Sequence, residues 1–520
     1  MKQTIAAVLL LLTVSLTRVA AGGGPEERPA GIEWFDGGVE AAFDAARAED
    51  KPVFLYWGAV WCPYCADLKA HVFSRADFRS KLELFVPVYL DGDDPGAQRW
   101  GEELGVFGYP TVLVLTADRR ELARIAGGMD LTVYTDVLDL ALSDTRPLRD
   151  VLASLAMTSG PLPTADCRRL AFNGWGLDDS VSAGGRLAAA LAGAAGRCPA
   201  DARVERARLT AVAAHYAAEA EAEAVEAGRA ATPLLAQLVD DVRGILADPS
   251  LAVSIADALQ YLDTDFFAVA RQLGPTDSAR LLQRWSAAMR AVAADERYTE
   301  GDRLAAVRAR IEAHKVLSGD GRIPQALAAE ALQRIDSSLA AADGTPGEPA
   351  VVNAAVNLLV TLERSERAYA VAEEAMRDAA TPYYYMADLA WLDEQLGRED
   401  AAVAWLERAY RESAGAATRF QWGTNYVRGL VRMRPHDVAA ITDAAIAVLG
   451  ELEAPDTLYR RTRTRLAALD AALREWSATY ERDEALRAIH RRMQRICENL
   501  STEGRNDAVA TCREFLSGAV

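Results

Sequence analysis

Two cysteines separated by two residues are the reactive groups that the sequence suggests, Cys62 and Cys65 in Trp61-Cys62-Pro63-Tyr64-Cys65. They follow an apolar run, residues 52–57, and precede a stretch with helical character. A Cys-x-x-Cys at a strand-to-helix junction is typical of a redox dithiol when a βαβ pattern surrounds it. Such a dithiol exchanges electrons with a substrate disulfide.

The two sulfurs have different expected roles. Cys62 is predicted at a helix N-terminus, with Pro63 in the first turn, where its missing N–H costs little. Unpaired backbone N–H groups and the helix dipole stabilise a thiolate there, so Cys62 is the expected nucleophile. Cys65, one turn along, then resolves the mixed disulfide. The reverse reaction oxidises a dithiol.

Two other interpretations compete for this pair: a structural disulfide and half of a metal site. Zinc requires four ligands, and the sequence has no second closely spaced Cys or His pair. His71 on the following helix is expected at the surface. Copper handling would favour a Met- or His-rich stretch, which is missing from the sequence. No metal and no cofactor are therefore expected beyond the Cys62–Cys65 disulfide.

Glycines and prolines separate alternating strands and helices on both sides of the motif, in the order β-α-β-α-β-α-β-β-α. The predicted elements are strand 32–35, helix 39–49, strand 53–56, helix 66–72, a short helix capped by Ser74-x-x-Asp77, strand 84–90, helix 95–104, strands 111–115 and 121–126, and a helix from Asp130 to Leu142. This pattern predicts an α/β domain with a mixed sheet and flanking helices.

Several segments agree, in order, with a known family. They are Lys51-Pro52-Val53, the cysteine motif, Val72-Phe73-Ser74, Gly108-Tyr109-Pro110-Thr111 and Gly127. Residues 30–145 accordingly resemble a thioredoxin-fold domain, nearest to exported bacterial thioredoxin-like proteins and to the C-terminal domain of the membrane thiol:disulfide interchange reductase. The resemblance covers less than a quarter of the chain.

The resemblance implies a substrate groove beside the cysteines. Tyr109-Pro110 is similar to the family's cis-proline position, where the preceding backbone pairs with the substrate chain. Trp61, Pro63 and Tyr64 are expected to be neighbours of this groove. Simple packing is the alternative role for the aromatic rings.

One position departs from the family pattern. The family often has a buried acid six residues before the first cysteine, where it accepts the proton of the resolving thiol; here that residue is Tyr56. The lysine that accompanies the acid is replaced by Pro87. Deprotonation of Cys65 is therefore expected to depend on water or on another residue.

The sequence changes character after Thr145. Residues 22–145 are predicted as the thioredoxin-like domain, 146–163 as a linker, and 164–520 as an Ala-rich, all-α region with a candidate seam near 343–349.

A 34-residue spacing relates two sets of residues in the helical part: Leu362, Leu396 and Leu430, and Arg364, Arg398 and Arg432. This period resembles the tetratricopeptide repeat. His436 and Asp443 stand where alanine should recur, so the prediction is a degenerate array of helical hairpins. An irregular helical domain is the alternative.

The four remaining cysteines form two sequence-local pairs, Cys167 with Cys198 and Cys497 with Cys512. They are predicted as structural disulfides of helical hairpins, as an oxidising compartment permits. The alternative is an electron relay to Cys62 and Cys65, although neither pair has the C-x-x-C arrangement of a reactive dithiol.

The N-terminus has the layout of a cleavable signal peptide over residues 1–21, with Lys2, an apolar run at 5–16 and small residues at 19–21. A retained anchor is the alternative. Nothing later reaches eighteen uninterrupted apolar residues, so no stable membrane span is expected after cleavage. The expected location is the periplasm or the extracellular medium.

The formal net charge of −18 argues against nucleic-acid binding, which depends on clustered Lys and Arg. The leading hypothesis is a periplasmic thiol–disulfide oxidoreductase acting on protein disulfides, with the repeats recruiting a client or partner. On resemblance, reductase or isomerase is favoured over oxidase, with a membrane thiol donor upstream. The rival hypothesis is an exported scaffold whose thioredoxin domain is a docking or vestigial module.

Overall fold

The computed structural model describes residues 28–517 apart from 107, 126–130, 176–185, 227, 263, 273, 454–456 and 503–505. The predicted signal peptide, Gly127 and Asp130 lie outside the described residues. Residues 28–145, called the sheet domain, precede a helical region that occupies the rest of the described chain.

A four-stranded mixed sheet forms the centre of the sheet domain. Its strands are β1 (Val53–Gly58), β2 (Val86–Asp91), β3 (Thr111–Leu115) and β4 (Glu121–Ile125), in the spatial order β2-β1-β3-β4. β1 runs parallel to β2 and antiparallel to β3. All six residues of β1 are buried, as its apolar run predicts for a central strand. Pro87 lies in the edge strand β2, where a missing N–H is tolerated.

Helices cover both faces of the sheet. They are α1 (Val39–Glu49), α2 (Pro63–Leu68), α3 (Ala76–Leu82), α4 (Ala97–Glu103) and α5 (Tyr134–Ser143), and a π-helical segment, Lys69–Phe73, continues α2. Successive side chains of β1 alternate between the faces. Leu55 and Trp57 pack with α1 and α4, whereas Phe54 and Tyr56 pack with α2, α3 and α5.

Two local predictions were wrong. Residues 32–35 form no strand, because Phe35 makes only one backbone hydrogen bond to the edge strand, from its N–H to the Pro87 carbonyl (2.7 Å). Ser74 does not cap α3: the N-cap is Arg75, and the Ser74 hydroxyl donates to the Ala70 carbonyl instead (2.5 Å).

The segment predicted as a linker packs against its neighbours. It contains helix α6 (Leu148–Met157), in which Leu148 and Val151 are buried, and the N–H of Leu162 donates to the Arg197 carbonyl (2.9 Å). One apolar cluster runs from Phe54 in β1 to Leu317 in the helical region. Residues 146–163 are therefore part of a continuous core and not a free connector.

The helical region continues with nineteen helices in the described part of the chain. They are α7 (Thr164–Ala171), α8 (Arg186–Arg197), α9 (Arg203–Glu226), α10 (Pro233–Ile245), α11 (Pro249–Ser254), α12 (Ala256–Leu259), α13 (Thr264–Arg271), α14 (Pro275–Ala294), α15 (Glu300–Leu317), α16 (Gln325–Ala342), α17 (Glu348–Thr361), α18 (Ser365–Asp378), α19 (Pro382–Gln395), α20 (Glu399–Glu412), α21 (Ala416–Met433), α22 (Val438–Gly450), α23 (Arg460–Tyr480), α24 (Asp483–Thr502) and α25 (Asn506–Glu514).

Helices α17 to α22 form hairpins with the spacing read from the sequence. Glu348, Pro382 and Ala416 begin alternate helices at 34-residue intervals. Ala368 and Ala402 are fully buried where paired helices approach. The third hairpin departs from the pattern because α21 extends over 18 residues, against 14 in α17 and α19.

Both sequence-local cysteine pairs are bridged. Cys167 of α7 is bonded to Cys198 just after α8, and Cys497 of α24 is bonded to Cys512 of α25. Each disulfide joins neighbouring helices of the helical region. Among the described helices, none combines the length and apolar character that a membrane crossing requires.

Candidate redox site

Cys62 lies at the carboxyl end of the central strand and begins the redox helix α2. It is the N-cap residue, and its Sγ accepts a hydrogen bond from the N–H of Cys65 (3.2 Å). Pro63 follows at the first helical position, as predicted. Cys62 and Cys65 are both unbridged. Two thiols one turn apart thus lie at the start of α2, and the Cys62 sulfur is at the helix N-terminus.

Cys65 is fully buried beside Tyr56, which lies in the middle of β1. Burial is the largest cause that raises the pKa of Cys65 well above its usual value, and the Tyr56 hydroxyl opposes that shift. This hydroxyl is itself buried, and no described group forms a well-aligned hydrogen bond with it. Tyr56 therefore places a neutral polar group, and not a carboxylate, against the resolving thiol.

Tyr89 lies across the sheet from Tyr56. The two residues pair in register, and their ring centroids are 4.9 Å apart. Pro87, two residues earlier in β2, pairs with Phe54.

Three aromatic rings extend from the cysteines to the Tyr109-Pro110 peptide bond, which is cis. Tyr109 packs against Trp57 at 4.4 Å and against Trp61 at 5.7 Å between ring centroids. The structure therefore places Tyr109, and with it the cis bond to Pro110, against Trp61, the residue before Cys62. Tyr64 is more than half exposed and borders a separate cavity.

The helical region covers this aromatic face. The indole N–H of Trp61 donates to the Thr418 hydroxyl of α21 (2.9 Å). The Trp61 ring stacks on Tyr384 of α19 at 6.1 Å and meets Trp422 edge-on at 5.9 Å. Cys62, the next residue, is only 4% exposed. In this arrangement, α19 and α21 occupy the space over the Trp61 ring.

Two acids of the sheet domain cap helices of the helical region. The Asp93 carboxylate accepts hydrogen bonds from the backbone N–H groups of Ala417 and Thr418 (3.0 and 3.1 Å) and from the Thr418 hydroxyl (2.5 Å), at the first turn of α21. Glu102 accepts from the N–H of Arg460 (2.8 Å), the first residue of α23. Orphan N–H groups and the helix dipole make carboxylates favourable at both places.

On the other side of the redox helix, α2 borders a cavity of about 110 Å³. Tyr64 and Asp67 line it from α2, while Asp302 and Arg308 of α15 line it from the helical region. Burial, followed by the charge of Asp67, raises the pKa of Asp302 to about 7, although a hydrogen bond from Thr299 opposes the shift. This cavity lies between α2 and α15, away from the aromatic face.

His71 lies on the π-helical continuation of α2 with its side chain 38% exposed. Its Nδ1 lies 3.0 Å from the Asp67 carboxylate, which raises the pKa of the imidazole. Among the described residues, no cluster of three or more His, Cys, Asp or Glu side chains could hold a metal ion.

Sequence reasoning missed the residues that close the site: Asp93, Glu102, Tyr384, Thr418 and Trp422. The only available signal was the acidic loop after β2, which contains Asp91, Asp93 and Asp94. Nothing local to Thr418 or Trp422 distinguishes them from other residues of an amphipathic helix.

Comparison with known proteins agrees with this geometry. Residues 39–142 match the family model of a thioredoxin-like domain. The sheet domain is a thioredoxin-like domain. Two curated relatives, both thiol:disulfide interchange proteins DsbD from Neisseria meningitidis (a serogroup A and a serogroup B strain), are 31% identical to this chain over 84 residues. The match covers 15% of this chain and 14% of each relative.

A solved structure described as a circular tandem repeat protein with novel repeat topology and enhanced subunit contact surfaces also matches. It covers 74% of this chain and 92% of its own, at 14% identity and a TM-score of 0.20. A similarity this weak carries no argument about the helical region. The comparisons therefore support a thiol–disulfide oxidoreductase-like module and leave the rest of the chain to be read from its own geometry.

Proposed function

We propose that the protein is a thiol–disulfide oxidoreductase that acts on protein disulfides. The observation that carries this proposal is the pair of unbridged thiols at the start of α2, with the Cys62 sulfur at the helix N-terminus and Cys65 one turn behind it. The aromatic groove of Trp61, Tyr109 and Pro110 beside Cys62 supports it.

The reaction proceeds by two exchanges. The Cys62 thiolate attacks one sulfur of the substrate disulfide, which forms a mixed disulfide and releases the other substrate sulfur as a thiolate. Cys65 then loses its proton and attacks the Cys62 sulfur, which closes the Cys62–Cys65 disulfide and releases the second substrate thiolate. Two electrons pass to the substrate, and an external dithiol must return them for another cycle.

Export and redox direction also belong to this proposal. The two disulfides of the helical region favour an oxidising compartment such as the periplasm. The curated relatives are named thiol:disulfide interchange proteins, which supports disulfide exchange here. The family resemblance favours a reductase or isomerase over an oxidase, with a membrane thiol donor upstream.

The helical region has a second role in the proposal. Because α19 and α21 cover the aromatic groove, a client gains access only when they move away from Trp61. A partner that binds the helical hairpins and shifts them would thus deliver the client and open the site.

Trapping of the mixed disulfide tests the redox proposal. Cys65→Ala in the exporting host is expected to accumulate covalent adducts of Cys62, visible on non-reducing gels and removed by reducing agent. The matched control, Cys62→Ala/Cys65→Ala, should show none. If Cys65→Ala gives no adducts and the wild-type protein fails to reduce a model disulfide, the redox proposal is wrong.

A second candidate function is a scaffold whose thioredoxin-like domain serves as a docking module. The burial of Cys62 under α19 and α21 and the presence of Tyr56 in place of an acid favour it. The two candidates differ in the folded protein. In a scaffold, Cys62 is expected to be alkylated no faster than the protein unfolds globally. In an oxidoreductase, alkylation of Cys62 is expected to be faster than global unfolding.

A further inference from the structure

A groove between α21 and α23 collects four arginines in an otherwise acidic chain. It has a volume of about 420 Å³ and is lined by Arg428, Arg460, Arg461 and Arg465, with Thr424 and Thr464 between them. Its lining contains no acidic side chain in the described part of the molecule. The whole chain has 75 Asp and Glu against 57 Lys and Arg, so this concentration of positive charge runs against the composition.

Two arginines of the groove, Arg428 and Arg465, differ from their neighbours on the same helices. Arg419 and Arg432 of α21 pair with Glu451 and Glu394, and Arg463 of α23 pairs with Glu102. Among the described residues, Arg428 and Arg465 have no such acidic partner.

The positive charge of Arg465 is partly buried in the groove. Burial is the largest cause that lowers the pKa of Arg465 to about 9, and the positive charges of Arg461 and Arg428 add to it. Tyr109 acts in the opposite direction. Like charges held together in a half-buried groove cost free energy, which a bound anion would offset.

The groove lies beside the redox site. The guanidinium of Arg461 is 4.3 Å from the centroid of the Tyr109 ring, and its Nη2 donates to the Gln421 side chain (2.7 Å). Tyr109 in turn packs against Trp61, the neighbour of Cys62. A chain bound in the groove could therefore continue along Tyr109 towards the cysteines.

The spacing of the arginines fits an extended peptide. Arg461 and Arg465 are one helical turn apart, which corresponds to about 6 Å along α23. Alternate residues of an extended chain are separated by about 6.6 Å. Acidic side chains at alternate positions would thus meet successive guanidinium groups, which bind carboxylates well.

We propose that this groove binds an acidic, extended segment of the client polypeptide, with carboxylates on Arg428, Arg461 and Arg465. The assignment to a client rests on the proposed function, whereas anion binding rests on the arginines alone. The segment would hold the client beside Tyr109, which packs against Trp61.

Peptide binding to the full chain tests the proposal without any redox step. The protein carries Cys62→Ser and Cys65→Ser, and the probe is a fluorescein-labelled octapeptide with Glu at alternate positions. Fluorescence anisotropy is expected to show binding that weakens as salt rises. The double substitution Arg428→Gln/Arg465→Gln should weaken it at least tenfold, and Arg411→Gln, an exposed residue of α20, less than twofold.

Three further arms keep the proposal falsifiable. Arg465→Lys, which keeps the charge, should retain binding within about threefold and guards against misfolding of the double variant. Equal binding of a Gln-for-Glu octapeptide, or unchanged binding by the double variant, would overturn the proposal. Inorganic phosphate that binds as tightly as the peptide would indicate a small-anion site and overturn the peptide assignment.

The redox proposal and the groove proposal can fail separately. Binding of the Glu octapeptide in a protein that traps no mixed disulfide would refute the redox function and support the groove. Reduction of acidic and neutral peptide disulfides at the same KM, without measurable octapeptide binding, would refute the groove and support the redox function.

Discussion

At the scale of single residues, Tyr56 decides how the resolving thiol loses its proton. Cys65 is buried, its pKa is raised by that burial, and its polar neighbours include Cys62, the Ala59 backbone and the Tyr56 hydroxyl. A neutral phenol can donate a hydrogen bond to the developing thiolate, although it cannot take up the proton as a carboxylate does. Tyr56 is thus a positioning residue for the second exchange.

Tyr56→Phe tests this role at almost constant shape. The substitution is expected to slow resolution of the mixed disulfide several-fold while stability stays equal or rises by about 1 kcal/mol, because a buried hydroxyl without a well-formed partner is removed. Rapid-quench measurement of the Cys62 adduct reports the rate, and urea unfolding reports stability. Tyr426→Phe, on α21 away from the cysteines, is the control. An unchanged resolution rate would show that Tyr56 only packs.

Asp302 gives the molecule a pH-dependent stability. Its folded-state pKa of about 7 exceeds the value of about 3.9 expected in the unfolded chain. The folded state therefore holds a proton that the unfolded state releases, so this contribution to stability is complete below about pH 4 and is lost as the pH rises through 7.

Asp302→Asn is expected to remove that loss. The variant should gain stability relative to wild type as the pH rises from 5 to 8, since the amide resembles the protonated acid. Urea unfolding at both pH values measures the difference, with exposed Asp343→Asn as the control. If the stability of Asp302→Asn relative to wild type falls as the pH rises, the raised pKa of Asp302 is contradicted.

At the scale of elements, closure of the site depends on helix termini. Gly415, the N-cap residue of α21, has no side chain to cap the helix, and Asp93 supplies the missing acceptor from the thioredoxin-like domain. The position of α21 over Trp61 is therefore set by the loop after β2.

Asp93→Ala is expected to loosen α21 from the redox site. Loss of a cap costs about 1–2 kcal/mol, and about 1.4 kcal/mol corresponds to a factor of ten in an equilibrium. The rate at which iodoacetamide alkylates Cys62 in the folded protein should therefore rise about tenfold. Asp94→Ala is the matched control, because among the described residues the Asp94 carboxylate accepts from the N–H of Asp91 in its own loop. If Cys62 is alkylated at the same rate in both variants, the Asp93 cap does not hold α21 over the redox site.

The sequence predicted the elements better than their contacts. The bounds of α1 and β3 are those expected from apolar periodicity and from the flanking Gly and Pro residues. The hydrogen bond between Asp93 and Thr418 joins residues 325 positions apart, and neither residue has a local signal for it. The packing of residues 146–163 was missed because their Ser, Gly and Pro content is that of a linker.

The same limit applies to the candidate site. Cys62 and Pro63 could be read from the spacing of the motif, and the Tyr109-Pro110 turn from the family resemblance. The cover formed by Tyr384 and Trp422 depends on how a helical array folds back over the domain, which periodicity does not specify. Position in the tertiary structure, and not residue type, makes these residues part of the site.

At the scale of the whole molecule, the thioredoxin-like domain shares a core with the helical region as far as Leu317. The largest apolar cluster contains Phe54 and Tyr56 of β1 together with Trp285 of α14. We expect one cooperative unfolding transition, in which tryptophan fluorescence and far-UV circular dichroism coincide and the calorimetric and van't Hoff enthalpies agree. Two separated transitions would show that the shared core does not couple the parts.

The caps supplied by Asp93 and Glu102 also have a consequence for the order in which the polypeptide is assembled. Synthesis proceeds from the N-terminus, and N-terminal domains generally fold first. Both acids are then in place before α21 and α23 emerge, so each helix meets its acceptor as it forms. The thioredoxin-like domain thus serves as a template for the helices that later cover it. A circular permutant with residues 28–145 at the C-terminus should therefore fold more slowly than the natural protein.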